Sequence, residues 1–295
     1  MDYAVQFKGL TKTFERTTAL DDVTLTIGKC ALVGLVGRNG SGKTTLLRHV
    51  VGQLLPTTGQ AETLGQPTSS LGRDEFERIG FVPQEIRLLD WMTVDQHIRY
   101  VGGFYKRWDR ERESRLRDEL VLDGDTQVGA LSTGDVQKLA VVLAVCHHPE
   151  LLILDEPVSN LDPIARALML QFLLEVMGED DATIVISSHV LRDIERIVDW
   201  VVCLNHGRVM TDAALDELKE RFAEWHITTH DANLPTSFKE PFVVQQEVNG
   251  REARLIVRAE GADAEAFRST YRSELIVRPL NLEQLFPVLL VADKP

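Results

Sequence analysis

The sequence is poor in cysteine, in basic charge and in long apolar runs. Its three cysteines, Cys30, Cys146 and Cys203, lie far apart, which excludes a disulfide scaffold and favours a reducing compartment. The formal net charge of −13 argues against unaided binding to nucleic acid, because counterion release requires a basic surface. The apolar run Leu139–Cys146 is far shorter than the ~20 residues of a membrane span, and we find no secretion signal. These absences predict a soluble, cytoplasmic chain, which would need a partner to work at a membrane.

What is present is ordinary globular composition, with 44% hydrophobic and 26% charged residues in a chain of 295. That length allows one large domain or two moderate ones. Strand-like and helix-like segments alternate up to about residue 224, which favours an α/β layer with a mainly parallel sheet. We predict this domain over residues 1–224, with a helical segment over about 90–146. We predict a small α+β domain over residues 225–295, whose chemistry the pattern does not reveal.

The apolar runs and alternating segments give specific elements. In the first domain the predicted strands are Tyr3–Phe7, Val23–Ile27, Ala31–Val36, Ile79–Val82, Leu151–Leu154, Thr183–Ile186 and Trp200–Leu204. A helix should begin near Pro163, because proline suits the first helical turn, and another should end near Ile197. In the second domain the predicted elements are a loop around Asp231–Pro241, a helix near Ala262–Ser269, and strands at His226–Thr229, Phe242–Val248, Ala253–Val257 and Leu275–Val277.

A glycine-rich segment follows the strand Ala31–Val36. Residues 37–44 read Gly-Arg-Asn-Gly-Ser-Gly-Lys-Thr, and a helical apolar pattern begins after them. This is G-x-x-x-x-G-K-[ST] in its strand–loop–helix context, where backbone N–H groups and the helix N-terminus meet phosphate. Lys43 should reach the β- and γ-phosphates, and Thr44 should offer its hydroxyl to Mg²⁺. The alternative is a structural turn that carries an incidental lysine.

Two carboxylates end the buried-type strand Leu151–Leu154, about 110 residues beyond the glycine-rich loop. In P-loop NTPases an Asp at this place holds Mg²⁺, and a following carboxylate can polarise the attacking water. Asp155 and Glu156 are therefore candidates for these two roles. An apolar run followed by Asp-Glu is often only a strand end, so this hypothesis depends on the loop.

Together these residues resemble the nucleotide-binding subunits of ATP-binding cassette (ABC) transporters, over about residues 3–223. Gly37–Thr44 is similar to the Walker A motif of that family, and Leu151–Glu156 is similar to its Walker B motif with the catalytic glutamate. Gln84 resembles the Q-loop glutamine that touches Mg²⁺ and water. His189 resembles the switch histidine that contacts the γ-phosphate. Gln84 could instead be an ordinary polar residue at a strand end, and His189 an ordinary residue at a helix start.

Further positions extend the resemblance. Phe14 stands where the family has an aromatic residue stacked on adenine, although it could also be a core or edge aromatic. Ser132 and Gly134 stand in the place of the signature motif, whose hydroxyl and backbone N–H meet the γ-phosphate held by a second subunit. Ser132 could also be a helix N-cap, and the two roles are compatible. Asp162 resembles the D-loop aspartate.

The signature departs from the usual Leu-Ser-Gly-Gly-Gln of the family. Thr133 replaces the first glycine, and Asp135 replaces the glutamine. A carboxylate close to the phosphate is electrostatically unfavourable unless it points away. Such relaxed signatures resemble those of ABC-2 type exporters, as do the segments Phe104–Asp109 and Leu282–Phe286.

The resemblance implies a P-loop NTPase (RecA-like) α/β core with a helical signature subdomain and the α+β appendage. It implies an ATPase that energises an ABC transporter through ATP-driven dimerisation of cassettes, with ATP and Mg²⁺. The expected partners are a second ABC ATPase subunit, identical or different, and a separate transmembrane permease that holds the chain at the cytoplasmic face of the membrane. The alternatives are an ABC ATPase without a transport role and a regulatory ATP-binding module with impaired turnover.

The expected site residues follow residue by residue from the motifs. Catalysis is expected to involve Glu156, His189 and Gln84. Mg²⁺ is expected to contact Thr44, Gln84 and Asp155. ATP is expected to contact Phe14, Gly37, Arg38, Asn39, Gly40, Ser41, Gly42, Lys43, Thr44 and Thr45. The pair His147-His148 is not expected to bind metal, because adjacent side chains diverge and no further ligand is in sight.

Overall fold

The structure is a computed structural model that describes residues 3–230 and 233–290. Its contacts divide the chain into two compact units, Met1–Asp212 and Ala213–Pro295. The first unit therefore ends at Asp212 and not at residue 224. The reason is that the helix Leu215–Arg221 packs against the strand Phe222–Thr228, which belongs to the sheet of the second unit.

The elements are numbered in chain order. The strands up to residue 214 are β1 (Tyr3–Phe14), β2 (Thr17–Gly28), β3 (Leu32–Gly37), β4 (Thr58–Thr63), β5 (Gln66–Pro67), β6 (Ile79–Val82), β7 (Leu151–Asp155), β8 (Thr183–Ser187), β9 (Trp200–Asn205) and β10 (Arg208–Ala214). The helices of the same part are α1 (Lys43–Val50), α2 (Arg73–Phe76), α3 (Val94–Gly102), α4 (Arg110–Glu119), α5 (Thr133–Val145), α6 (Pro163–Asp180) and α7 (Leu191–Ile194). The remaining elements are α8 (Leu215–Arg221), β11 (Phe222–Thr228), β12 (Val243–Asn249), β13 (Glu252–Arg258), α9 (Ala264–Tyr271), β14 (Glu274–Pro279) and α10 (Leu282–Leu289).

The central sheet of the first unit has the strand order β10-β9-β3-β8-β7-β6. The pairs β9–β3, β3–β8, β8–β7 and β7–β6 are parallel, and β3, β7 and β8 are buried along their whole length. This explains their continuous apolar runs, since a strand covered on both faces has no polar side. The register places Ser187 of β8 opposite both Leu35 and Asp155, so the carboxyl ends of three strands meet at one edge.

A second sheet lies beside the first and has the order β2-β1-β4-β5, with antiparallel pairs. One apolar cluster joins this sheet, α1 and the central sheet, and includes Phe7, Leu25, Leu46, Leu47 and Ile153. Because α1 is packed from both sides, its N-terminus, where the glycine-rich loop ends, is held in a fixed place.

The segment between β6 and β7 contains α3, α4 and α5, which lie within the stretch 90–146 that the sequence predicts to be helical. The apolar run Leu139–Cys146 is buried within the protein at the end of α5. Within residues 3–230 and 233–290, no helix combines the length and apolar character needed to cross a bilayer. Arg112 of α4 is buried and pairs with Asp180 at 2.6 Å and with Glu179 at 2.8 Å, which ties α4 to the end of α6.

The adjacent histidines after α5 make separate contacts. The His148 ring lies between two carboxylates, with Nδ1 2.7 Å from Asp180 and Nε2 2.8 Å from Asp109. His147 is buried, stacks on Tyr105 with ring centroids 4.1 Å apart, and places Nε2 3.2 Å from the carbonyl oxygen of Ile79. These contacts account for both residues as parts of the packed helical segment.

The second unit has an antiparallel sheet of order β12-β13-β11-β14. One face carries an apolar cluster that includes Trp225, Leu255 and Phe267 of α9. This is an α+β arrangement with the four predicted strands and the predicted helix. Residues 233–241 of the predicted loop contain no helix or strand, whereas Asp231 and Ala232 lie outside the described residues.

Candidate active site

The glycine-rich loop joins β3 to α1. Gly40 and Gly42 have φ angles of +78° and +109°, in the left-handed region that glycine adopts without strain. A β-carbon on Gly42 would lie 2.7 Å from the carbonyl oxygen of Ala19, so this position also lacks space for a side chain. The helix begins directly afterwards at Lys43, and its first N–H groups have no partner within the helix. The loop therefore has the properties of an anion-binding turn.

A cavity of about 290 Å³ opens beside this loop. Its walls combine the loop with the start of β2, with the segment after β6 and with the end of β7. They are formed by Thr17, Thr18, Ala19, Asn39, Gly40, Ser41, Gly42, Lys43, Thr44, Thr45, Gln84, Asp155 and Glu156. Of the residues predicted to contact ATP on this chain or to act in catalysis, Phe14, Gly37, Arg38 and His189 are not part of these walls. The structure thus brings residues from four separate parts of the sequence to one cavity.

Lys43 is the cation of this cavity, and only 7% of the residue is exposed. Its Nζ donates to the carbonyl oxygens of Gly37, at 2.8 Å, and of Arg38, at 3.4 Å. Burial lowers the pKa of Lys43, while the carboxylates of Glu156 and Asp155 act in the opposite direction. A buried ammonium group whose partners are mainly carbonyl oxygens is well placed to bind a polyanion.

Three oxygen-bearing side chains, those of Thr44, Gln84 and Asp155, also line the cavity. The Thr44 hydroxyl donates to Oε1 of Gln84 at 3.4 Å, and the carboxylate of Asp155 lies at the end of β7 with the residue 1% exposed. Hydroxyl, amide and carboxylate oxygens are the hard ligands that Mg²⁺ prefers. This donor set fits the predicted metal.

Ser187 is a functional residue that the sequence analysis missed. It is fully buried at the end of β8, where its hydroxyl donates to Oδ1 of Asp155 at 2.7 Å and accepts from the backbone N–H of Glu156 at 2.9 Å. The Ser-Ser-His sequence was visible, but only the register of β8 against β7 shows which serine meets Asp155. One side chain therefore orients both acidic residues.

Glu156 is held from several directions. Its Oε2 lies 2.6 Å from Nδ1 of His189, whose side chain is 55% exposed. The φ angle of Glu156 is +55°, in the left-handed region. Its carbonyl oxygen accepts from Nε2 of Gln137 at 2.8 Å, and Gln137 is a buried residue of α5. His189 thus contacts the cavity through Glu156. The contact of Gln137 was not predicted, because it joins residues that are distant in sequence.

The signature residues lie apart from this cavity. Ser132 is exposed at the N-cap of α5, and Gly134 lies in the first turn. A β-carbon on Gly134 would lie 3.3 Å from the carbonyl oxygen of Asn160, which places the signature beside the predicted D-loop. Asp162 caps α6 and accepts from the backbone N–H groups of Ile164 and Ala165 at 2.9 and 3.0 Å. Ser132 therefore has the N-cap role that was considered for it, with its hydroxyl close to the protein surface.

Phe14 ends β1 at the surface. It is 42% exposed, and Nζ of Lys12 lies 5.1 Å from its ring centroid. A core role is therefore excluded. The exposed ring leaves a face that an aromatic base could cover, and stacking on adenine stays a prediction.

Comparison with known proteins gives matches over the part of the chain that contains the glycine-rich loop, Asp155 and Glu156. The family model described as ABC transporter matches residues 20–159. The chain is 30% identical over 223 residues to the bacitracin transport ATP-binding protein BcrA of Bacillus licheniformis, which covers 75% of this chain and 73% of that protein. It is 28% identical over 295 residues to the Nod factor export ATP-binding protein I of Rhizobium sp. (strain N33), which covers 96% of this chain and 95% of that protein.

Solved structures give the same result. An ATP-binding subunit of an ABC transporter superposes with a TM-score of 0.67 at 28% identity, over 73% of this chain and 92% of that one. A dimeric ATP-binding cassette in a post-hydrolysis state, bound to ADP and Pi, superposes with a TM-score of 0.65 at 25% identity, over 72% of this chain and 98% of that one. The α/β P-loop fold is thereby confirmed.

Proposed function

The chain belongs to the family of ABC transporter ATP-binding subunits, and from this membership we propose a role for each residue of the cavity. It is an ATPase subunit that binds ATP with Mg²⁺ and energises a transporter through dimerisation of cassettes. The observation that carries the residue roles is the convergence of Lys43, Thr44, Asp155 and Glu156 on one cavity at the carboxyl ends of parallel strands. Ligands of α/β sheets bind at this edge.

The glycine-rich loop binds the triphosphate in this proposal. Residues 37–45 supply backbone N–H groups, and Lys43 moves its ammonium group from the carbonyl of Gly37 to the β- and γ-phosphates. Phe14 stacks on the adenine. Its exposed ring supports this role, although it does not line the cavity.

The metal is held by the three oxygen donors. Thr44, Gln84 and Asp155 are the proposed ligands of Mg²⁺, directly or through water, and Ser187 fixes the orientation of Asp155. When bound, Mg²⁺ neutralises charge on the β- and γ-phosphates.

Glu156 is the proposed general base. Its carboxylate lies in the cavity wall and accepts a proton from the water whose oxygen attacks the γ-phosphorus. The bond from this phosphorus to the bridging oxygen breaks in the same step, so that ADP and phosphate leave. His189 holds the carboxylate at 2.6 Å and is itself partly exposed, so it can also reach the γ-phosphate when ATP is present. Water activation therefore needs both residues.

Two cassettes complete each site in this proposal. Ser132 is exposed and Gly134 is partly exposed, and neither lines the cavity of its own chain, which supports their contact with the ATP that a second, identical or different, cassette holds. The Asp162 D-loop lies beside them. We propose that a separate transmembrane permease binds the pair and holds it at the cytoplasmic face of a membrane. The relatives named for bacitracin transport and for Nod factor export favour an ABC-2 type exporter.

The substitution Glu156→Gln tests this proposal. It preserves shape but removes the base, so ATP binding should persist while hydrolysis falls by ~10²-fold or more. ATP that is not hydrolysed should then hold two chains together, and light scattering with Mg-ATP should show a dimer. Adding Ser132→Arg should abolish that dimer, because the long side chain would block the opposing nucleotide.

The matched control is Glu150→Gln, which makes the same change at a half-exposed glutamate paired with Arg78. It should hydrolyse ATP as the unmodified chain does. Hydrolysis that survives in Glu156→Gln would refute the role of Glu156 as base. A Glu156→Gln dimer that persists when Ser132→Arg is added would refute the contact of the signature residues with the opposing ATP.

A further inference from the structure

At the start of α5, hydrogen bonds link the side chains of Ser132, Asp135 and Lys138 in a row. The Ser132 hydroxyl donates to Oδ2 of Asp135 at 2.6 Å and accepts from the backbone N–H of Asp135 at 3.1 Å. The other carboxylate oxygen, Oδ1, accepts from Nζ of Lys138 at 2.9 Å. Asp135 is the residue that replaces the usual glutamine of the signature motif.

The charge of Asp135 persists in this arrangement. Partial burial acts to raise the pKa of its carboxyl, but the hydrogen bonds from Ser132 and Lys138 outweigh that effect and lower the pKa. An ionised carboxylate can only accept hydrogen bonds. The single hydroxyl proton of Ser132 is therefore committed to Asp135, and the hydroxyl presents lone pairs to its other neighbours.

A phosphate oxygen of ATP is also only an acceptor at neutral pH. Ser132 cannot donate its one proton to Asp135 and to a phosphate at the same time. Contact with ATP on an opposing cassette requires Ser132 to release Asp135, and it brings the triphosphate close to a second negative charge. Lys138 offsets part of that charge through its ion pair with Asp135.

We propose that Asp135 is a positioning residue that withholds the Ser132 hydroxyl proton and so weakens ATP-driven closure of the two cassettes. This inference rests on the signature role proposed above. An amide at the same place reverses the competition, since its NH₂ group donates to Ser132 and leaves the hydroxyl proton for phosphate. The altered signature is then a brake that raises the ATP concentration needed for closure.

The experiment uses the full chain with Glu156→Gln, so that hydrolysis does not deplete the dimer. The ATP concentration that gives half-maximal dimer is measured by light scattering at fixed Mg²⁺ excess. Adding Asp135→Asn should lower that concentration about tenfold, the lower range expected for one hydrogen bond to a charged group. Asp118→Asn, at an exposed position of α4, controls for the same change in net charge.

A double-mutant cycle distinguishes this mechanism from a general charge effect. If Asp135 acts through Ser132, the gain from Asp135→Asn should disappear when Ser132→Ala is also present. A gain of equal size in the Ser132→Ala background would contradict the inference, as would an unchanged or higher half-maximal concentration with Ser132 intact.

The same cycle separates this inference from the proposed function. If Ser132→Ala weakens the dimer while Asp135→Asn does not strengthen it, the signature role stands and the brake is refuted. If the dimer does not respond to Ser132→Ala at all, the signature role itself fails. Thermal unfolding of each variant shows whether the cap of α5 has been lost, and only folded variants enter the comparison.

Discussion

Ser187→Ala should lower both the free energy of unfolding and kcat by more than the loss of a single oxygen atom suggests. The substitution removes one oxygen atom, but that oxygen makes two buried hydrogen bonds, to Asp155 at 2.7 Å and from the N–H of Glu156 at 2.9 Å. Ser187 is fully buried, and Glu156 is 6% exposed, so water cannot easily replace either bond.

The expected magnitude follows from those two bonds. A hydrogen bond to a charged group contributes about 1.5–3 kcal/mol, and a buried N–H left without a partner costs about 1–3 kcal/mol. We therefore expect the free energy of unfolding to fall by about 3–5 kcal/mol. Asp155 and Glu156 also lose their common support, so kcat should fall at least ~10-fold while the affinity for ATP changes less.

Ser188→Ala is the matched control. Ser188 is the next residue and is also fully buried. Among the residues that the structure describes, its hydroxyl bonds only to the backbone of Val190, accepting from its N–H at 2.9 Å. Loss of one neutral bond should cost about 1 kcal/mol. Urea unfolding and steady-state ATPase assays on both variants make the comparison. Equal destabilisation and equal kcat in the two variants would refute the reasoning.

Two further predictions concern Lys43 and His147. Lys43→Ala should abolish ATP binding, measured with a fluorescent ATP analogue, because the triphosphate loses its buried cation; near-normal affinity would refute the phosphate site. Burial lowers the pKa of His147 from 6.5 to about 4, so the folded chain keeps this ring neutral. The neutral ring therefore costs no stability above pH 6.5, but the free energy of unfolding falls by about 3 kcal/mol as the pH is lowered from 6.5 to about 4. In His147→Gln, urea unfolding between pH 7 and 4 should show a shallower decline, and an unchanged slope would contradict this assignment.

The elements that sequence predicted best are those whose physical cause is local. The strand Ile79–Val82 and the start of α6 at Pro163 match the prediction, because a continuous apolar run and an N1 proline each leave a local signal. The glycine-rich loop was predictable for the same reason, since its left-handed backbone admits few residues other than glycine.

The elements that were missed depend on distant partners. β4 has only two buried residues, Ala61 and Thr63, so its apolar pattern is weak, and its pairing with β1 stabilises it as a strand. Residues 282–286 of α10 are predicted only as a segment similar to the family and not as a helix, although Asn281 and Gln284 form a capping box at the start of α10. The boundary after Asp212 depends on which sheet α8 packs against, which no local pattern states.

The sequence predicted most residues of the site, but not the hydrogen bonds that join them. The motifs predicted most of the residues that line the cavity, but not Thr17, Thr18 and Ala19 at the start of β2. The roles of Ser187 and Gln137 follow only from strand register and helix packing. For Asp135, the sequence raised the electrostatic problem and the structure shows its local solution, a bond to Ser132 and an ion pair with Lys138.

The conformation of Glu156 links the signature helix to the cavity. A left-handed φ of +55° costs a residue with a β-carbon about 1 kcal/mol or more, and such strain persists only where surrounding contacts impose it. Here Ser187 bonds the N–H of Glu156 and Gln137 bonds its carbonyl oxygen, so both sides of the residue are fixed. Gln137 lies in the same helix as Ser132, which caps its exposed end. A displacement of α5 that keeps both this 2.8 Å bond and the rotamer of Gln137 therefore moves the backbone of Glu156 with it.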